Sequence, residues 1–196
     1  MARRIAVLLF DGVEELDFAG PWEVFAAWAD QFPDDGIEVQ TLATTLDAVR
    51  CAKGLSVLPH RTRADAPAAE LLIVPGGRGT RPLLHDEATL AWLREQAGRG
   101  TVIASVCTGA LLLAKAGLLD GRPATTHHGS LQRLRELGRD IDVRPDARFV
   151  DDGPVLTAAG VSAGIDLALH LVARLHSVQR ARELRHYIQY DPSPPV

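Results

Sequence analysis

Cys107 has the setting of a nucleophile. An apolar, strand-like run at residues 102–106 (VIASV) leads into it, and an Ala/Leu-rich helical run follows Thr108-Gly109. A strand that turns sharply into a helix holds one side chain at the apex, facing out of the sheet with backbone N–H groups beside it. A helix N-terminus at that place favours an anion and lowers a thiol pKa. Ser105-Val106-Cys107-Thr108-Gly109 has nucleophile-elbow spacing on its C-terminal side, with Ser105 where a second glycine often stands. Small residues are required there because the turn is tight. Cysteine is also among the most buried residues and is usually inert in a core, so the junction, not the residue type, separates nucleophile from packing.

Three further features could serve such a thiol. Asp17 lies in the connection Glu14-Glu15-Leu16-Asp17-Phe18, between apolar neighbours. A carboxyl in a partly apolar setting has a raised pKa and can stay protonated, able to donate to a thiolate. Glu15 is the fallback carboxylate, and Glu14 and Glu15 otherwise read as solvated. Gly76-Gly77, in Pro75-Gly76-Gly77, reads as a bland turn or as a source of backbone N–H groups for an oxyanion, joined by the N–H of Thr108. His127, with His128 beside it, is a hydrogen-bonded structural residue or a base for Cys107. No spacing among His, Cys, Asp or Glu has the form of a metal site, and no complete dinucleotide or P-loop glycine pattern is present.

The elements that must position these residues alternate. Residues 4–10 (RIAVLLF), 37–43 and 71–74 (LLIV) are strand-like, the first and third as continuous apolar runs suited to a sheet buried on both faces. Pro21 fits a first helical position ahead of a stripe of Trp22, Val24, Phe25 and Trp28. Residues 48–58 fit a hairpin, 86–99 an amphipathic helix, and 130–137 a short helix. Asp152-Gly153 between 148–151 and 155–158 is a hairpin signal. Helices are expected over 160–175 and 178–188, before a proline-rich end. Strands alternating with helices predict a single α/β domain over residues 1–196. It is a three-layer sandwich with a mostly parallel central sheet and helices on both faces. Ligands of such sheets bind beyond the carboxyl ends of the strands. The Asp17 loop, the Gly76-Gly77 loop and Cys107 all follow strand ends.

Bulk composition removes several classes of function. With 21 Lys+Arg against 25 Asp+Glu, the net charge is −4, and there is no basic run to suit a nucleic-acid surface. No apolar run is long enough to cross a bilayer. Met-Ala-Arg-Arg leads straight into a strand-like segment without a signal-peptide pattern. The two cysteines, Cys51 and Cys107, do not form a disulfide framework, so the expectation is a cytoplasmic protein with two thiols.

Taken together, the pieces resemble the ThiJ/PfpI superfamily, with its class I glutamine amidotransferase-like (flavodoxin-like) fold. They are residues 15–21 (ELDFAGP), Val74-Pro75-Gly76-Gly77, residues 105–110 (SVCTGA), residues 117–127 (GLLDGRPATTH), Ala163-Gly164-Ile165-Asp166 and residues 190–195 (YDPSPP). Within the superfamily the chain looks most like the isonitrile (isocyanide) hydratase branch. That resemblance implies addition of water to an isonitrile to give an N-formamide, without a cofactor or metal, by a homodimer. It implies Cys107 as nucleophile and Asp17 as the acid that hydrogen-bonds it. It also implies Thr108 as a nearby hydroxyl and N–H donor, Gly77 in the oxyanion-type pocket and Val161 lining it. Three departures narrow the chemistry. His128 stands where similar hydratases often carry Trp, which changes the pocket. Thr108 stands where protease-like members carry His, against peptidase action. No late His-x-Glu pair is present, against glutamine hydrolysis. AraC-type regulators carry the same domain ahead of a helix-turn-helix region, which does not follow here, so a complete regulator is not expected. An orphan sensor, a redox-reactive thiol protein and a glyoxalase-type enzyme are the alternatives.

Overall fold

A computed structural model of the chain describes residues 3–192. The strands are β1 (Arg3–Leu8), β2 (Ile37–Ala43), β3 (Val49–Arg50), β4 (Ser56–Val57), β5 (Arg61–Thr62), β6 (Leu71–Val74), β7 (Val102–Val106), β8 (Pro123–Ala124), β9 (Asp142–Val143), β10 (Phe149–Asp152) and β11 (Val155–Ala158). The helices are α1 (Glu15–Gln31), α2 (Thr80–Leu83), α3 (Glu87–Gly98), α4 (Gly109–Lys115), α5 (Leu131–Leu137), α6 (Ala163–Leu175) and α7 (Val178–Tyr187). The proline-rich end lies, from residue 193 on, outside the described residues.

Seven strands form one sheet in the order β10-β11-β7-β6-β1-β2-β5, parallel except for the β10–β11 hairpin. The apolar runs of β1, β6 and β7 occupy its centre because both faces are covered, as parallel strands require. One face packs Val7, Ile73 and Ala104 against α1, α6 and α7, around the buried Trp28 and Phe25. The other packs Leu72, Val74 and Ile103 against α3, α4 and α5. This is the mostly parallel α/β sandwich expected from the sequence. The β3–β4 hairpin also forms, as a separate two-stranded unit.

One boundary differs. Helix α1 begins at Glu15 and carries Pro21 in its interior, so Asp17 sits in the first helical turn and not in a connection. The start is set by contacts remote in sequence: the Glu14 N–H donates to the Gly76 carbonyl at 2.9 Å, and Val13 forms an antiparallel bridge with Gly77. Acidic residues in a first turn suit the helix dipole, and the proline ring is used for packing against α6. A Cβ at Gly164 would stand 3.1 Å from Pro21 Cγ, and one at Gly20 would stand 2.9 Å from Ile165 Cγ1. Glycine at these two places lets α1 and α6 close together.

The strand order brings the candidates together. β1, β6 and β7 are neighbours, and β11 flanks β7. Their carboxyl ends lead respectively to Asp17, Gly76-Gly77, Cys107 and Val161.

Candidate active site

Cys107 lies between β7 and α4 with φ of 57°. That left-handed conformation costs a non-glycine residue about 1–2 kcal/mol, and its surroundings hold it. The Cys107 amide donates to the Ala159 carbonyl at 2.8 Å, and its carbonyl accepts from Thr126 Oγ1 at 2.7 Å. Gly109 is obligatory, since a Cβ there would stand 2.0 Å from the Val74 carbonyl oxygen. The cysteine side chain is only 6% exposed.

Asp17 faces it and is fully buried. Its Oδ2 accepts the Gly76 N–H at 2.9 Å. Its Oδ1 is buried with no hydrogen-bond partner, while the Cys107 thiol and the Val161 amide lie close enough to the carboxyl to pull its pKa down. Burial pushes the Asp17 carboxyl up to about 7, against the opposing pull of the Gly76 amide, the Cys107 thiol and the Val161 amide. Burial also pushes the Cys107 thiol up to about 11, and the Asp17 charge adds to this; the Thr108 and Val161 amides pull the other way. The thiol is therefore not lowered by the helix end, contrary to the sequence expectation. Burial outweighs the pull of the Thr108 and Val161 amides. What results is a pair that holds two protons at low pH, one between about 7 and about 11, and none above. In the middle range the single proton rests mainly on sulfur, beside an ionised Asp17 carboxylate; its transfer from sulfur to the carboxylate gives the thiolate facing a carboxylic acid.

The glycine loop has a different task from the one expected. The Gly76 amide is occupied by Asp17, and the Gly77 amide donates to Thr108 Oγ1 at 2.9 Å. Neither is free to receive an oxyanion. A Cβ at Gly76 would stand 2.5 Å from the Thr108 nitrogen and 2.8 Å from Asp17 Oδ2. Its absence is what lets the acid approach the elbow. Thr108 is further fixed by Thr80 Oγ1 at 3.3 Å.

Val161 has φ of 48°, a genuine outlier for a β-branched residue. Its amide faces both Asp17 and Cys107, so the strain aims a donor at the pair. A clamp behind the loop sustains it. The Ala159 amide donates to the Arg148 carbonyl at 3.0 Å, and the Arg148 guanidinium donates to Ser162 Oγ at 3.0 Å and to Asp166 Oδ2 at 2.6 Å. Tyr190 OH donates to Asp166 Oδ1 at 3.1 Å. Arg148, Asp166 and Tyr190 were not singled out from the sequence as site residues, although Asp166 and Tyr190 lie within the motifs quoted above.

The DJ-1/PfpI family profile matches residues 3–174. The chain belongs to the DJ-1/PfpI family. It is similar to an isonitrile hydratase of Pseudomonas putida, 40% identical over 195 residues, which is 100% of this chain and 82% of that protein. It is also similar to the HTH-type transcriptional regulator CdhR of Pseudomonas aeruginosa, 31% identical over 92% of this chain but only 53% of the regulator. Among solved structures, a ThiJ/PfpI family protein from Pseudomonas syringae superposes with a TM-score of 0.89 at 34% identity, over 100% of this chain and 78% of that one. The DJ-1/PfpI family thus holds proteins named as enzymes and as regulators, and the surroundings of Cys107 must distinguish them.

A cavity of about 490 Å³ lies over Cys107, Thr108, Gly77 and Val161, and His127 forms part of its wall. His127 Nδ1 accepts the Gly129 amide at 3.1 Å and has no hydrogen bond to Cys107; its ring lies 4.1 Å from that of His128. Burial holds its pKa below the usual histidine range, aided by the charges of His128 and Arg81. Glu15 turns elsewhere: its Oε1 accepts the Lys53 amide at 2.6 Å, on the hairpin side. The neighbouring carboxylate, Glu14, lines the cavity instead, with Lys53, Arg78 and Arg81. These four were not read as site residues, because a charge on a loop carries no local sign of which cavity it will face. No group of three or more His, Cys, Asp or Glu is placed to hold a metal ion among the described residues. No helix among them is long and apolar enough to cross a membrane.

Proposed function

We propose that this chain is a cysteine-dependent enzyme, needing no cofactor, that adds water to an isonitrile to give an N-formamide. Cys107 is the nucleophile and Asp17 the acid and base. The observation that carries the proposal is the buried Asp17 carboxyl, raised to about 7, facing the Cys107 sulfur at the elbow. Full-length similarity to an isonitrile hydratase supports the same chemistry.

The steps balance within the pair. The Asp17 carboxylate takes the proton of the Cys107 thiol, and the thiolate so formed attacks the terminal carbon of the isonitrile. As the S–C bond forms, that carbon takes the proton of the Asp17 carboxylic acid, giving a thioimidate, R–N=CH–S–Cys. The Asp17 carboxylate then takes a proton from water as the water oxygen adds to the same carbon, and passes it to nitrogen. Collapse of the adduct returns the hydroxyl proton to Asp17, breaks the S–C bond and releases R–NH–CHO. One isonitrile and one water are consumed, and the pair regains its single proton. The Thr108 and Val161 amides steady the sulfur anion, Gly76 holds Asp17, and Gly77 orients Thr108.

A redox sensor would call for an accessible thiol of low pKa. Cys107 is only 6% exposed and lines a cavity, which suits a bound substrate better than an open sensor thiol. A glyoxalase-type reaction would use His127 against Cys107, and no hydrogen bond joins them. The experiment is turnover of a small isonitrile panel, followed by formamide formation. Wild type and Cys51→Ser turn over, and Cys107→Ala does not. Undiminished hydration by Cys107→Ala would sink the proposal.

A further inference from the structure

The cavity over Cys107 is more basic than hydration of an isonitrile requires. Its charged lining is Lys53, Arg78 and Arg81 against one carboxylate, Glu14. The Lys53 ammonium is paired with Glu14, which leaves two arginines uncompensated. Arg81 donates through one terminal nitrogen to the Gly77 carbonyl at 2.8 Å, and the amide of that glycine is bonded to Thr108 Oγ1 at 2.9 Å. Its guanidinium is thereby anchored one residue from the nucleophile. A guanidinium carries five N–H donors on three nitrogens, and the bonds of Arg81 to protein use one nitrogen only. The Arg78 guanidinium forms no ion pair or hydrogen bond among the described residues. His127, also in the lining, feels the Arg81 charge.

Two unpaired guanidinium groups do nothing for an apolar ligand, but they match a carboxylate in geometry and charge. The volume of about 490 Å³ suits a small molecule. We infer that the substrate is an anionic isonitrile, a small isocyano-carboxylate whose carboxylate is held by Arg78 and Arg81 while its terminal carbon meets Cys107. The inference rests on the hydratase proposal for the reacting end and on the arginines for the other.

Two measurements test it separately. The first compares kcat/KM for isocyanoacetate and its methyl ester. Wild type favours the carboxylate by about tenfold at low salt, the advantage shrinks as salt rises, and it falls to near one in Arg78→Gln/Arg81→Gln. The second needs no turnover: the rates of Cys107 alkylation by iodoacetate and by iodoacetamide, with glutathione thiol as reference. The iodoacetate-to-iodoacetamide ratio exceeds that of glutathione by about threefold or more in wild type and drops to the reference in the double variant. A preference for the ester, or an alkylation ratio no higher than that of glutathione, overturns the inference. If neither isonitrile is hydrated, the hydratase proposal fails, and the alkylation ratio alone decides whether the site selects anions.

Discussion

Asp17→Asn separates what the acid does for the reaction from what it does to the fold. Asparagine keeps the shape and an oxygen for the Gly76 amide, so the elbow stays assembled. Its effect on stability follows from linkage. Burial raises the Asp17 carboxyl from 3.8 to about 7, so between those values the folded state binds a proton that the unfolded state has lost. Stability therefore falls as pH rises from 4 to 8, by about 4 kcal/mol for a fully buried group. The asparagine variant lacks this loss. Its Tm relative to wild type rises by several degrees or more on going from pH 4 to pH 8, at about 2–4 °C per kcal/mol for a chain of this size. Any cost of asparagine's extra N–H near the Val161 amide is the same at both pH values and cancels in the comparison. Turnover moves the opposite way, with kcat falling by about 10²–10⁴, the range for loss of a positioned general acid. Thermal melts at the two pH values and steady-state kinetics measure both. A Tm difference between the proteins that does not change with pH would refute the linkage, because Asp17 would then titrate normally.

Other outcomes follow from the same geometry. The pH profile of kcat/KM rises through about 7 and falls near 11, tracking the singly protonated pair; a rising limb near 9 would mean that the free thiol alone titrates. Gly76→Ala places a methyl 2.5 Å from the Thr108 nitrogen and lowers kcat by about 10²-fold or more, with Asp17 displaced from Cys107. A crystal structure of that variant with Asp17 undisturbed would contradict this. Asp166→Asn and Tyr190→Phe loosen the Arg148 clamp behind Val161. They lower kcat severalfold at unchanged KM and shift the pH dependence of Cys107 alkylation, while stability changes by about 1–2 kcal/mol. An unshifted alkylation profile would leave the clamp with a structural role only.

Much of the frame was legible in the sequence. The apolar runs at 71–74 and 102–106 read as strands, the first as a buried one, and the switch to an Ala/Leu helix after Thr108 marked the elbow. The raised Asp17 carboxyl was inferred from its apolar neighbours Leu16 and Phe18, but Leu16 is exposed, and the burial comes from the packing of the first turn of α1 against Gly76 and the elbow. What escaped depends on partners far along the chain. The start of α1 is fixed by Gly76 and Gly77, more than 50 residues away, so Pro21 misled as a helix start. The Gly76 and Gly77 amides suggested an oxyanion site, but their bonding to Asp17 and Thr108 is a tertiary fact. The helix-end argument gave the wrong direction for the thiol because burial of Cys107, the larger effect, is invisible in one sequence. The basic wall of Arg78 and Arg81 was hidden for the same reason, since only the packed loop shows which way a charge points.

The central claim is that Cys107 bonds to the isonitrile carbon. Acid quenching during turnover, followed by intact and peptide mass measurement, tests it most directly. The account predicts a species heavier than the protein by the whole mass of the isonitrile, because the proton gained by carbon comes from the pair itself, with the addition located on Cys107 and absent from Cys107→Ala. Sustained hydration with Cys107 unmodified throughout, or with the addition on another residue, would contradict it.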